Sequence, residues 1–187
     1  LGSCFSERSG VVNIGIEGMM TIGAFTGAVM GLTTGNGWIA FFCAGLAGAL
    51  FGLIHAFACI SCHADQTIAG TAINFLGPGL ALFLCKAMYN NSSDTPAMDP
   101  SCKLPKLFEG VFPTGSFWNN VLNVYAVAYL VFILAFVCWF GFYKTKFGAH
   151  LRAVGEHPEA CESLGIDVYK VRYTCVILSG FLAGLGG

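Results

Sequence analysis

Long apolar stretches alternate with short polar stretches along this chain. No Asp, Glu, Lys or Arg occurs over residues 18–64, 66–85, 110–143 or 173–187. A helix needs about 20 apolar residues to cross the hydrocarbon core of a membrane. The first stretch is long enough for two crossings, and the turn-like sequence TTGNG at residues 33–37 divides them.

The pattern predicts five membrane segments, at about residues 11–32, 38–60, 67–88, 120–143 and from 173 onward. The expected fold class is therefore all-α, a polytopic transmembrane helical bundle. Because the last apolar run is only about 15 residues long, we expect residues 1–187 to be one transmembrane domain truncated at both ends.

Composition supports a membrane protein, since 56% of the residues are hydrophobic and 10% are charged. The net charge of -1 comes with neither a basic patch for nucleic acid nor an acidic tail. Nine scattered cysteines are an odd number and do not form a disulfide framework.

Lysine and arginine set the expected orientation, because short cytoplasmic loops carry an excess of both. A cytoplasmic loop at residues 144–172 leaves the loop at residues 89–118 outside the cytoplasm. This arrangement gives six cations inside and three outside: Arg8, Lys144, Lys146, Arg152, Lys170 and Arg172 against Lys86, Lys103 and Lys106.

Asn13 and Glu17 are polar side chains in an apolar, glycine-rich run. Four residues apart, they would share one face of a helix, which Gly15 and Gly18 weaken enough to bend or partly unwind. A carboxylate at membrane depth is costly and should face the bundle interior or a wet cavity. Glu17 is thus a candidate site residue, although pairing with Arg8 or a role in joining helices stays open.

Glycines recur every fourth residue at Gly23, Gly27, Gly31 and Gly35, at Gly48 and Gly52, and at Gly180 and Gly184. Small residues at this spacing allow close helix packing in membranes. We interpret them as packing seams. No GxxxxGK[ST] phosphate loop occurs, so the chain is not itself an ATPase of that type.

Residues 59–63, CISCH, match the C-x-x-C-H pattern of covalent haem attachment. The alternatives are a metal site that adds Asp65 to Cys59, Cys62 and His63, and a plain turn at the end of a span. The expected cytoplasmic position argues against haem, and we expect a turn.

Residues 148–173 predict a short helix between the last two segments. Pro158 suits its first turn, Gly165 its end, and Asp167 can cap the following helix. Ala160, Cys161 and Leu164 would then offer an apolar contact to a partner. A solvated connecting helix is the alternative.

Three blocks carry a family resemblance: ERSGVVNIGIEGMM at residues 7–20, ADQTIAGTAINFL at residues 64–76, and the sequence from FGAHLRAVGEHPEACESLGID at residue 147 to the end. They resemble the permease subunits of ATP-binding cassette importers. Within the branched-chain amino acid and simple sugar permease family, NIGIEG is most similar to the nucleoside-type branch.

The resemblance implies a multi-pass permease of a bacterial inner or plasma membrane that moves nucleosides or related small polar solutes. It is not itself an enzyme and needs no cofactor. Its implied partners are an ATP-binding cassette ATPase that hydrolyses ATP, a second permease, an extracytoplasmic substrate-binding lipoprotein and the lipid bilayer, with no nucleic acid. A simple sugar permease, a secondary transporter or channel, and a c-type haem redox subunit remain alternatives.

The same resemblance implies two functional regions. Asn13, Glu17 and Asn74 would line the substrate path, although for Asn74 a hydrogen bond between helices is equally open. Residues 157–166 would be the coupling helix that docks on the ATPase. Its contact residues would be His157, Pro158, Glu159, Ala160, Leu164, Gly165 and Ile166.

Overall fold

The computed structural model describes residues 1–89, 92, 94–96 and 126–187, with helices and no strand in those ranges. The helices are α1 (Gly2–Arg8), α2 (Ile16–Thr34), α3 (Gly37–Ala56), α4 (Gln66–Met88), α5 (Ala126–Lys144), α6 (Lys146–Glu156), α7 (Pro158–Ser163) and α8 (Val168–Gly186), with a π-helical turn (Phe57–Ser61) after α3. Nearly all of the predicted loop at residues 89–118, and the predicted start of the fourth segment, lie outside the described residues.

The described helices confirm an all-α membrane bundle. Four are long and apolar enough to cross a membrane, and there are five if α5 and α6, which meet at a 71° bend, are counted as one broken span. Their outward faces carry large apolar side chains, such as Phe75 at 77% exposed and Phe132 at 76% exposed. Such faces suit contact with lipid or with further membrane helices.

Local sequence accounts for several helix boundaries. Asn36, Asp65 and Asp167 each accept a hydrogen bond from a backbone N–H in the first turn of α3, α4 and α8. Gly35 ends α2 with a φ of 66°. A left-handed residue of this kind favours glycine.

The glycine seams are confirmed at the centre of the bundle. A Cβ added to Gly48 of α3 would lie 2.7 Å from the Cα of Gly184 in α8. A Cβ added to Gly23 of α2 would lie 2.7 Å from the same Gly184 atom. Only residues without a side chain allow these three helices to approach so closely. Gly35 does not belong to a seam, because an added Cβ there would have nothing within 4 Å, and the residue serves as the end of α2.

The predicted loop at residues 144–172 is largely helical and packs against α1 at one end of the bundle. Arg8 and Arg152 line the same 210 Å³ cavity there. A Cβ added to Gly10 would lie 3.4 Å from the Arg172 guanidinium. The expected grouping of Arg8 with this loop is therefore present. Helices α1 and α6 were not predicted. Helix α8 begins at Val168, directly after its predicted cap Asp167 and five residues before the start predicted for the membrane segment.

Candidate functional site

The chain between α1 and α2 is not helical, although it runs among membrane helices. We call residues 10–15 the break. It opens at Gly10, which has a φ of 84°, and α2 begins only at Ile16. Val11 and Val12 are β-branched and favour extended backbone.

The prediction that Asn13 and Glu17 share a helical face is wrong, since Asn13 precedes the helix. The expected unwinding does occur up to and including Gly15, but not at Gly18. Gly18 stays helical because it lies against the backbone of α4, where an added Cβ would be 2.7 Å from the carbonyl carbon of Ile73.

Side chains from three helices bind the backbone of the break. Ser6 of α1 donates to the carbonyl of Val11 at 2.6 Å. His55 Nε2 of α3 lies 3.2 Å from the carbonyl of Val12, and Gln66 Oε1 of α4 accepts from the Val12 N–H at 2.8 Å. Lipid offers no hydrogen bonds, so non-helical backbone at membrane depth needs such partners.

His55 is fully buried, and its partner fixes the tautomer. Because the Val12 carbonyl can only accept, Nε2 carries the hydrogen and Nδ1 is left as an acceptor. The Cys59 sulfur lies beside the ring, 3.8 Å from Nδ1 and 3.7 Å from Nε2. The imidazole thus holds the break to the end of α3.

Asn13 is buried, at 4% exposed, and its side chain faces α8. Nδ2 donates to the hydroxyl of Ser179 at 3.1 Å and lies 3.6 Å from the sulfur of Met19. Oδ1 has no hydrogen-bond partner in the described part of the chain. A buried acceptor without a donor destabilises the arrangement that contains it.

Asn74 of α4 binds the backbone on both sides of the start of α2. Its Nδ2 donates to the carbonyl of Ile14 at 3.0 Å, and its Oδ1 accepts from the N–H of Gly18 at 2.9 Å. The N-cap of α2 is Gly15, which has no side chain to accept that hydrogen bond. Asn74 therefore caps α2 from another helix, which agrees with the alternative of an interhelical hydrogen bond.

Glu17 is exposed in the first turn of α2, and no described residue forms a hydrogen bond or ion pair with its carboxylate. A carboxylate at this end of a helix is stabilised by the helix dipole. The three predicted path residues thus have different surroundings. Among the described residues, Asn13 faces α8 and has one unpaired, buried acceptor, and Asn74 binds the start of α2. Of the three, Glu17 is the residue whose unpaired polar group is exposed.

The CISCH sequence supplies the last three residues of the π-helical turn and the two residues after it. Cys59 is buried against His55, whereas Cys62 and His63 are exposed. No group of three or more His, Cys, Asp or Glu residues suited to a metal ion occurs in the described ranges. The two thiols do not face one ligand, which favours the interpretation as a turn.

Residues 157–166 contain α7, shorter than its predicted extent. Leu164 is 78% exposed, and His157, Glu159, Ala160 and Gly165 are also exposed, with Pro158 and Ile166 half-buried. Cys161 was predicted to offer an apolar contact to a partner, but it is not available. It is 3% exposed and packs against Val154 and Val168.

Asp167, just after this segment, caps α8. Its carboxylate lies 2.9 Å from Nζ of Lys170 and accepts from the Lys170 N–H. The hydrogen bond from the Lys170 side chain, with that backbone bond, holds the pKa of Asp167 below its ordinary value of 3.8.

Sequence reasoning missed His55, Gln66 and Ser179. The signal for His55 was present, since it is an imidazole in a long apolar run, and an ionisable group in a span is a functional candidate. Ser179 carried no comparable signal, because serine is common in membrane helices that pack closely.

Comparisons with known proteins agree with this architecture. The family described as "Branched-chain amino acid transport system / permease component" matches residues 1–187. The chain is 46% identical to the guanosine ABC transporter permease protein NupQ of Bacillus subtilis and 36% identical to the nucleoside ABC transporter permease protein NupC of Lactococcus lactis. It is also 36% identical to the putative glucose ABC transporter permease protein TsgC13 of Haloferax volcanii.

Each alignment covers 100% of this chain, which spans 60% of the length of the first two relatives and 56% of the third. No solved structure matches the chain significantly. With a family match over its whole length and several membrane-spanning helices, this chain belongs to the branched-chain amino acid transport system permease component family.

Proposed function

We propose that this chain is part of the translocation subunit of an ATP-binding cassette importer for nucleosides. The observation that carries this proposal is the 46% identity, over the whole chain, to a protein named as a guanosine permease. The proposed partners are a separate ATPase, a second permease and an extracytoplasmic binding lipoprotein. The proposed location is a bacterial inner or plasma membrane.

The proposed substrate path runs along Glu17 at the start of α2, with Asn13 and Asn74 beside it. The exposed carboxylate of Glu17 supports this, because it is a hydrogen-bond acceptor in an otherwise apolar region. A carboxylate can accept from the ribose hydroxyls and base N–H groups of a nucleoside. Asn13 and Asn74 contribute by fixing the backbone around Glu17.

The proposed docking surface for the ATPase is the exposed side of residues 157–166. Leu164 supports this, since an apolar side chain 78% exposed at the polar end of the bundle is suited to a protein contact. ATP binding and hydrolysis in the partner would move α7, and the attached spans would open the path to one side and then to the other.

Uptake of tritiated nucleosides and sugars tests the function. The full-length permease would be expressed with its ATPase, second permease and binding lipoprotein, and compared with the same set carrying an inactive ATPase. We expect nucleoside uptake that disappears with the inactive ATPase. Uptake of sugars alone would reject the nucleoside assignment, and uptake that persists would indicate a secondary transporter or channel.

Replacing Glu17 with Gln tests the path. We expect Glu17→Gln to reduce nucleoside uptake about tenfold, because a charge-assisted hydrogen bond is replaced by a weaker neutral one. Assembly and membrane insertion should be unchanged. Glu7→Gln is the matched control, since Glu7 is an exposed carboxylate on α1 that bonds only to Ser3 in the described part of the chain. Equal effects of the two variants would reject the role of Glu17.

A further inference from the structure

Helix α8 links the proposed ATPase-docking helix to the break. At its first residue, Val168 packs with Cys161 of α7 and Val154 of α6 in a buried cluster. Further along, Arg172 Nε donates to the carbonyl of Ser9 at 3.3 Å. Ser179 then accepts from the Asn13 amide at 3.1 Å.

These contacts lie on one side of α8. Arg172 and Ser179 are seven residues apart, which is about two turns and about 10 Å along the helix. Residues at this spacing share a face, so one rigid helix touches both the entry of the break and its centre. If α7 moves and displaces α8, the Ser179 hydroxyl that binds the Asn13 amide is displaced as well.

The opposite side of the break is held by α4. Gln66 binds the N–H of Val12, and Asn74 binds the carbonyl of Ile14. Asn13, between those two residues, is bound through its side chain to α8. The break is therefore bound to α4 and α8 as well as to α1 and α3. We expect relative motion of α4 and α8 to change its conformation.

The Asn13 amide is suited to a change of partner. Its Oδ1 is buried and has no donor among the residues that the structure describes. Because an unpaired buried acceptor disfavours the arrangement observed, leaving that arrangement costs less than it would for a fully paired amide. Ser179 of α8 therefore contacts the Asn13 amide, the group of the break whose observed arrangement is the least stabilised.

We propose that Ser179 is a positioning residue that couples movement of α7 to the break through its hydrogen bond with Asn13. This rests on the proposed function, since it requires an ATPase that acts on α7. Ser179 does not contact the solute. It determines whether the movement of α8 changes the backbone that leads to Glu17.

The test measures uptake and ATP hydrolysis together in proteoliposomes containing the full-length importer complex, with tritiated guanosine and its binding protein. For Ser179→Ala we expect binding-protein-stimulated hydrolysis to continue, while guanosine transported per ATP falls roughly fivefold or more, within the usual range of coupling between sites. The matched control is Thr174→Val on the same helix, because within the described ranges the Thr174 hydroxyl bonds only to the Lys170 carbonyl of α8 itself.

A double-mutant cycle with Asn13→Leu completes the test. If Ser179 acts through Asn13, the double variant should lower the amount of guanosine transported per ATP hydrolysed no further than Asn13→Leu alone. A parallel loss of uptake and hydrolysis, an unchanged ratio, or additive effects of the two substitutions would each overturn the proposal. Absence of ATP-dependent uptake in the unmodified complex would instead reject the proposed function, so the two failures are distinguishable.

Discussion

Asn74 shows how a single side chain can replace a missing helix cap. Gly15 cannot cap α2, and the amide of Asn74 satisfies both the Gly18 N–H and the Ile14 carbonyl. In a membrane these groups have no water to replace a lost partner. The geometry therefore gives Asn74 a positioning role, whereas a direct solute contact would require an amide free of other partners.

This role predicts that Asn74→Leu destabilises the protein. The part-buried Gly18 N–H would lose its partner at a cost of about 1–3 kcal/mol, whereas the more exposed Ile14 carbonyl would lose less. Asn74→Asp should be milder, because a carboxylate still accepts from Gly18 N–H although it cannot donate to Ile14. Thermal unfolding of the detergent-solubilised protein measures both. Unchanged stability combined with a raised KM for nucleoside would instead support direct contact with the solute.

The polar residues show what sequence could and could not supply. Asn13, Glu17 and Asn74 were all identified as polar groups in apolar runs, and all three lie at or beside the break. Their partners were not identified, because Asn13 and Ser179 are 166 positions apart. A pairing at that separation depends on how α2 and α8 pack, which no local pattern encodes.

At the scale of helices, the close approach of α3 and α8 depends on glycine. A Cβ on Gly48 would overlap the backbone of Gly180 and lie 2.7 Å from the Cα and N of Gly184. Backbone atoms cannot move aside as a flexible side chain can. The two helices would have to separate to accommodate even one methyl group.

We therefore expect Gly48→Ala to destabilise the bundle by about 1–3 kcal/mol, the usual cost of overpacking. The control is Gly79→Ala in α4, where nothing lies within 4 Å of the added Cβ. Alanine favours helix over glycine by about 1 kcal/mol, so this variant should be as stable as the parent or more so. Thermal unfolding compares the stability of the two variants. An equal loss of stability in both would show that the close approach of α3 and α8 at Gly48 does not require glycine.

The Asp167 cap of α8 should make stability depend on acidity. Its pKa is lower in the folded protein than its ordinary value of 3.8. The contribution of the carboxylate to stability is thus complete above that value and is lost as pH falls through the lower folded pKa. The pair with Lys170 is exposed, so the effect is small.

Unfolding by denaturant between about pH 5 and pH 3 tests this dependence. Asp167→Asn keeps an acceptor for the cap but cannot titrate. We expect the parent to lose stability faster than Asp167→Asn as pH decreases. Identical profiles for the two proteins would show that the carboxylate carries no pH-dependent stability.

The sequence predicted helices correctly where a long uninterrupted apolar run defines the membrane span. The predicted segments at residues 38–60 and 67–88 differ from the observed spans Gly37–Ser61 and Gln66–Met88 by one residue at most at each end. The segment predicted to start at residue 11 was wrong at that end, because tertiary partners hold residues 10–15 in non-helical backbone. Helix α6 was missed because it is too polar to form an apolar run. The helical spacing of Phe147, Leu151 and Val154 was the signal that could have identified it.

At the scale of the whole molecule, positive charge marks one end of the bundle. Arg8 and Arg152 line one cavity, and Arg172 binds the carbonyl of Ser9. The turn between α2 and α3 lies at the other end of a 19-residue helix. Helices of this length span about 28 Å, so the two ends fall on opposite sides of a membrane.

The positive-inside rule then predicts which end faces the cytoplasm. In a full-length permease whose Cys4, Cys62 and Cys102 are replaced by serine, a cysteine placed at the exposed Ser163 should react with a membrane-impermeant maleimide only after the cells are opened. A cysteine at the exposed Thr33 should react in intact cells. The reverse pattern would place α7 outside, where a cytoplasmic ATPase could not reach it, and would remove the basis for treating residues 157–166 as a docking surface. If both cysteines were labelled in intact cells, the two ends of the bundle would not lie on opposite sides of the membrane as the charges predict.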